Sequence, residues 1–384
     1  MRRSISILLI IGLSLAIFAL DQRGFFKKRV TFPQFDINPS QKTISDKYEL
    51  APEILEIKSA QSLDQQVPIY KRLIERVGPI EAQEQLQKSG LPFDGESHLL
   101  NHTVGDFLYE KYGASGLSNC REYFLSSCYH GFVIRALADG GVDLLSEVVK
   151  TCQEKGEHVA IQCAHAIGHG FLAFDGYKYL TKALGDCDTL GEKSIRFRVY
   201  NCYDGVFMEN VFAVHENGQP SPDRWLNQDD PIYPCNEEKI PPKYLRACWS
   251  NQPSWMYQLF QADLHQVAQQ CLNLENQEYQ TTCFDALARQ IHPLTRGSVD
   301  ETFRMCSLMP PPWIDPCIVS ISKAFFSVGD RQAPFQICSK IHSKESCYKE
   351  LISIISLYIK DQKERGDVCD MFLDKEWVDK CKST

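Results

Sequence analysis

Sixteen cysteines lie between Cys120 and Cys381, and in chain order they fall into eight successive short-range pairs. The pairs are Cys120/Cys128, Cys152/Cys163, Cys187/Cys202, Cys235/Cys248, Cys271/Cys283, Cys306/Cys317, Cys338/Cys347 and Cys369/Cys381, with first members 32, 35, 48, 36, 35, 32 and 31 residues apart. Recurrence on that scale marks arrays of helical hairpins, in which each unit buries its apolar face against the next. An even count this high, with no CxxC spacing, fits disulfides made in an oxidising compartment better than zinc ribbons or thioredoxin-type chemistry. The expectation is an all-α, disulfide-stapled fold that works outside the cytoplasm, in a periplasm or at a cell surface.

The N-terminus agrees with export. Arg2 and Arg3 precede an uncharged run from Ser4 to Leu20 that holds ten Leu and Ile residues. Residues 1–29 are read as a signal anchor that tethers the protein to a membrane, although Arg23, Lys27, Lys28 and Arg29 place more positive charge after the run than before it. Residues 30–60, with Pro33, Pro39 and Pro52 among polar residues, read as a flexible tether. Residues 61–384 form the helical-repeat domain, with a histidine-rich first half (98–210) and a cysteine-rich second half (235–381). A net charge of −8 offers no field for nucleic acid, and no basic stripe interleaved with aromatics occurs in the body.

Within a repeat, Phe132, Val133, Ala136 and Leu137 recur at helical spacing; Gly140 and Gly141 break the run, and Val142, Leu145, Val148 and Val149 resume it. The first cysteine of each pair then closes one hairpin and the second opens the next, so a bond between them clamps neighbours. Pairing Cys128 with Cys152, and so on, is the alternative; it staples each hairpin internally and strands Cys120 and Cys381. Gln65 to Val77 and Pro79 to Ser89, stopped by Gly78 and Gly90, form a cysteine-free leading hairpin that caps the array. The spacing Cys120-x7-Cys128 at a helix end, repeated in looser form seven times, resembles cysteine-rich tetratricopeptide-like repeats of secreted bacterial proteins. That resemblance implies an α/α superhelix of tandem hairpins that binds protein or peptide ligands on its concave face.

Two residues after three of the second cysteines stand His130, His165 and Asp204. His102, in His102-Thr-Val-Gly105, aligns with His165, in His165-Ala-Ile-Gly168, and extends the column backwards. Later repeats carry Ser250, Asp285, Val319 and Lys349 instead, so the column belongs to residues 98–209. His98/His102 and His165/His169 are i, i+4 pairs, which share one helix face and can chelate one ion. The candidate metal ligands are His98, His102, His130, His165, His169 and Asp204, for a divalent transition metal such as zinc, copper or iron, with Glu209 as ligand or catalytic proton shuttle. Gly131, Gly168, Gly170 and Gly205 beside them would let helices approach closely.

Other readings stay open. The histidines can be buried residues bonded to carbonyls of adjacent repeats, or the parts of a metal-free acid/base cleft. His158, between Cys152 and Cys163, reads as a solvated loop residue. Trp249, Trp255, Tyr257 and Phe260 are either core or the lining of a peptide or glycan groove. The insertion from Asn217 to Pro234 suggests a lid. HExxH, CxxCH, GxSxG, P-loop and GxGxxG motifs are all missing from the sequence, so no established hydrolase or nucleotide class gains support. The two function classes are a metalloprotein acting on an external substrate, by hydrolysis or oxidation, and a rigid scaffold that binds another envelope protein with its histidines structural.

Overall fold

A computed structural model describes residues 49–91, 95–193, 197–212, 221–295 and 297–384. The expected signal anchor and residues 30–48 of the tether lie outside them. Among the described residues the chain is all-helical, with no strand. None of their helices is long and apolar enough to cross a membrane.

The fold opens with α1 (Pro52–Ser59), α2 (Leu63–Val77) and α3 (Pro79–Gln87). The last part of the expected tether is therefore α1: Pro52 supplies the fixed φ favoured in a first turn, and Ile54 and Ile57 are fully buried. The ion pairs Arg76–Glu53 and Arg72–Glu56, both 2.6 Å, tie α1 to α2 at the surface. The leading hairpin forms as its pattern predicts. Gly78 ends α2 at φ +87°, a backbone conformation that glycine adopts without a Cβ penalty, and Pro79 starts α3.

Next come α4 (Gly95–Tyr112) and the helical segment α5 (Tyr123–Glu154). A straight helix of 32 residues would be about 48 Å long. Yet Lys155 Nζ donates to Ser118 O at 2.7 Å and His158 Nε2 lies 3.0 Å from Glu122 Oε2, so the far end of α5 returns to its beginning. The reversal falls at Gly141, φ +61°, where the sequence predicted the hairpin bend.

The remaining helices are α6 (Glu157–Asp175), α7 (Leu180–Lys193), α8 (Val199–Phe212), α9 (Pro242–Leu259), α10 (Leu264–Leu272), α11 (Gln277–Ile291), α12 (Val299–Cys306), α13 (Pro311–Ser327), α14 (Ala333–Lys340), α15 (Lys344–Tyr358), α16 (Gln362–Cys369) and α17 (Lys375–Lys382). Polar caps start several of them. Asp263, Asn276, Ser298 and Asp361 each accept backbone N–H groups of the first turn of α10, α11, α12 and α16. Their apolar faces meet in one continuous core.

The eight disulfides join the cysteines in successive pairs, with Cα–Cα distances from 5.4 to 6.3 Å, and no cysteine is free. This excludes the alternative of Cys128 with Cys152. The first cysteines lie at or near the ends of α5, α10, α12, α14 and α16 and midway along α7, and their partners lie in α6, α11, α13, α15, α17 and α8, so these bonds clamp one hairpin to the next. The long helices contact one another in order, α6 with α8, then α9, α11, α13 and α15, and α15 touches α6 again. The ring of Tyr358 on α15 sits 4.5 Å from that of His158 on α6.

That contact corrects the reading of His158 as a solvated loop residue: it is buried in the first turn of α6, between Tyr358 and Glu122. Of the aromatic cluster, Trp249 is buried and Tyr257 and Phe260 lie half-buried against the core, while Trp255 is half-buried. In the insertion, the described part is fastened down. Asn210 donates to Trp225 O and accepts from Trp225 N, both at 2.9 Å, while Gln252 donates to the carbonyls of Pro231 and Tyr233 at 2.8 Å.

Each disulfide closes a loop of roughly a dozen residues, for which chain entropy gives about 3 kcal/mol. Replacing Cys271 and Cys283 together by serine is expected to lower the unfolding free energy by about 2 to 3 kcal/mol, measured by urea titration of the oxidised protein.

Candidate metal centre

Four glycines set the geometry. A Cβ built on Gly105 would stand 2.0 Å from Cys128 O, and one on Gly131 would stand 2.1 Å from His102 O. α4 and α5 are thus in backbone contact, each offering a glycine to the other's carbonyl. The same reciprocal contact joins α6 and α8: a Cβ on Gly168 would stand 2.0 Å from Cys202 O, and one on Gly205 would stand 2.0 Å from His165 O. The two crossings are built from matching words, His102-x-x-Gly105 against Cys128-x-x-Gly131 and His165-x-x-Gly168 against Cys202-x-x-Gly205. Gly170 of α6 receives the Leu137 side chain of α5, since a Cβ there would meet Leu137 Cδ1 at 2.5 Å. The two crossings therefore lie side by side.

At the first crossing, His98 and His102 on α4 face His130 on α5. One ligand atom from each of the three rings lies within 4.8 Å of the others, so this trio can hold a metal ion. His98 Nε2 is 3.1 Å from His130 Nδ1, and His98 Nδ1 sits 2.8 Å from Phe124 O. Phe124, at φ +51°, is one of two left-handed residues in the first turn of α5. A carbonyl behind one ring nitrogen fixes the tautomer that leaves the other nitrogen for a metal.

At the second crossing, His165 and His169 on α6 bring their Nε2 atoms to 3.1 Å of each other. Behind them, His165 Nδ1 lies 3.2 Å from Asp204 Oδ2, and His169 Nδ1 lies 2.8 Å from Glu209 Oε2. Asp204 also accepts from Asn251 Nδ2 at 2.9 Å, and Glu209 accepts the hydroxyl of Tyr177. The ring of His130 joins the two groups, with centroids 5.7 Å from His165 and 5.3 Å from His169.

All five expected histidines therefore meet in one cluster. The two carboxylates stand elsewhere than expected: Asp204 and Glu209 sit behind imidazoles as hydrogen-bond acceptors. Glu209 is fully buried with both oxygens engaged, which removes it as a proton shuttle that touches substrate. Tyr177, Asn251 and the Phe124 carbonyl were missed. Nothing in their spacing relates them to histidines that reach them only through the fold.

Burial and environment divide the cluster. His130, His169 and Glu209 are buried, whereas His98, His102 and His165 are half-buried. Burial, and then the potential positive charge of the four neighbouring imidazoles, holds the His130 pKa well below the ordinary histidine range, so this ring stays a neutral donor. Burial would raise the Asp204 carboxyl; the hydrogen bond from His165, with the Arg289 charge and a bond from Ser250, outweighs it and holds the group below the ordinary carboxylate range.

Gly131→Ala or Gly205→Ala would drive a methyl into a backbone carbonyl and is expected to cost about 3 kcal/mol or more, since neither helix can retreat without moving its neighbour. Gly185→Ala, in α7 with nothing within 4 Å of its Cβ, is expected to be neutral or stabilising by up to about 1 kcal/mol. Chemical unfolding of the three variants checks both. No family model, no curated protein and no solved structure matches this chain, which leaves the geometry of the cluster as the guide to what it does.

Proposed function

We propose that His98, His102 and His130 bind a divalent transition-metal ion, zinc, copper or iron, and that the protein acts as an extracytoplasmic metalloprotein tethered to a membrane by its N-terminal segment. The convergence of three imidazoles from two helices to within 4.8 Å is the observation that carries the reading. Nitrogen donors bound at about 2.0 to 2.1 Å to one ion stand about 3.3 Å apart, so small side-chain rotations close the trio around it. Imidazole favours zinc, copper and iron over calcium or magnesium, which select oxygen. The Phe124 carbonyl at His98 Nδ1 is the kind of outer partner that accompanies metal-ligating histidine.

Three protein ligands on a half-buried edge leave a coordination position for water or an external molecule, the pattern of catalytic sites and not of closed structural ones. A bound ion there would supply Lewis acidity, activating water for hydrolysis or dioxygen for oxidation. The chain's own residues keep His130 neutral and the rings fixed. The eight disulfides support an oxidising, extracytoplasmic setting, where reduced metal-thiolate sites would not persist.

Equilibrium dialysis of the oxidised protein against zinc, with bound metal counted by mass spectrometry, tests this reading. Losing one outer-sphere partner already weakens metal binding by about 10- to 100-fold. The His98→Ala/His102→Ala variant, deprived of two ligands, is expected to lose at least about 100-fold in affinity for that ion. Wild-type protein that retains no more zinc than the variant would refute the proposal.

A further inference from the structure

We infer that the cluster is a two-ion centre, with a second divalent transition ion held by His165 Nε2, His169 Nε2 and His130 Nε2 beside the first. The inference rests on the first ion proposed above and extends it to the other half of the cluster.

Three observations carry it. Both Nδ1 atoms of the α6 pair lie within hydrogen-bond distance of carboxylate oxygens, Asp204 at 3.2 Å and Glu209 at 2.8 Å, the acceptors that an imidazole N–H would meet there. Each Nδ1 therefore carries a proton, and each ring turns a lone pair at Nε2 toward the other across 3.1 Å. Two lone pairs at that distance repel unless a cation lies between or beside them. The separation is close to the roughly 3.3 Å expected for two imidazoles sharing one ion.

The carboxylates are themselves held in place. Tyr177 donates to Glu209 and Asn251 donates to Asp204. Carboxylate behind imidazole behind metal is the arrangement that orients ligating histidines and raises their basicity.

His130 supplies a third donor. Its Nδ1 faces His98 in the first group, while its Nε2 is buried and has no hydrogen-bond partner among the described residues. Its ring lies 5.7 and 5.3 Å from those of His165 and His169, a looser grouping than the first trio, whose rings are 4.8 to 5.5 Å apart, so His130 must swing toward the α6 pair to join it on one ion. An uncoordinated buried imidazole nitrogen is costly, and a cation shared with the α6 pair relieves it; with Nδ1 on the first ion and Nε2 on the second, His130 bridges them as an imidazolate, its one N–H proton passing to solvent as the second ion binds.

The rival occupant of the His165–His169 gap is a single proton, and metal stoichiometry separates the two. Purified oxidised protein is loaded with copper(II), freed of loose metal by gel filtration and counted by mass spectrometry. Two equivalents per chain are expected, with mutual broadening of their electron paramagnetic resonance signals. The His165→Ala/His169→Ala and His98→Ala/His102→Ala variants should each keep one equivalent and lose the broadening. Glu209→Gln tests the same site without removing a ligand, and should weaken only one of the two ions, by about 10- to 100-fold. One equivalent in the wild type, abolished by His98→Ala/His102→Ala and untouched by His165→Ala/His169→Ala or Glu209→Gln, would overturn the second site and leave the first. No bound copper would overturn both.

Discussion

Backbone-to-backbone contact at four glycines is the constraint on which the rest of this structure depends. A Cβ at Gly105, Gly131, Gly168 or Gly205 would lie 2.0 to 2.1 Å from a carbonyl oxygen, so these crossings admit no other residue at their present spacing. Close approach does more than tighten packing. His130 and Asp204 each immediately precede a crossing glycine, and His102 and His165 supply the carbonyls those glycines meet. Every approach at this contact therefore brings the flanking polar side chains of two helices face to face.

The two crossings are variations on one plan. Four residues beyond His102 and Gly131 stand Asp106 and Arg135, whose charges meet at 3.9 Å; four beyond His165 and Gly205 stand His169 and Glu209, at 2.8 Å. The same pair of positions is a partly exposed ion pair in one crossing and a buried imidazole–carboxylate pair in the other. That substitution gives the second crossing its additional ring and makes five imidazoles out of two helix pairs. Holding so many near-neutral bases together is unfavourable for protonated rings, and burial keeps His130 neutral. The disulfides clamp each hairpin to its neighbour, and the contact of α15 with α6 closes the run of helices. Rigidity of that kind holds ligands in place before any ion arrives.

Much of this was legible in the chain because it is local or periodic. Successive cysteines 8 to 15 residues apart bond to each other, as hairpin repetition requires. Gly78, Gly90 and Gly140–Gly141 mark turns that a helix cannot pass through unchanged. The i, i+4 spacing placed His98 with His102 and His165 with His169, since one helix turn decides it. What the spacing could not convey is which nitrogen faces what. Asp204 and Glu209 look like ligands in a list of carboxylates near histidines, yet approach from α8 puts them behind the rings. Tyr177 reaches Glu209 from a 3-10 turn, Tyr177–Tyr179, and Asn251 reaches Asp204 from α9, along paths that no periodicity encodes. His158 was misread because Tyr358, its ring partner, lies 200 residues further on.

Anomalous diffraction from zinc-loaded crystals, recorded on both sides of the zinc edge, tests the convergence of these helices into a metal centre most directly. The account predicts a strong peak within bonding distance of His98, His102 and His130. Peaks confined to surface carboxylates, with the three imidazoles bonded only to protein groups, would contradict it.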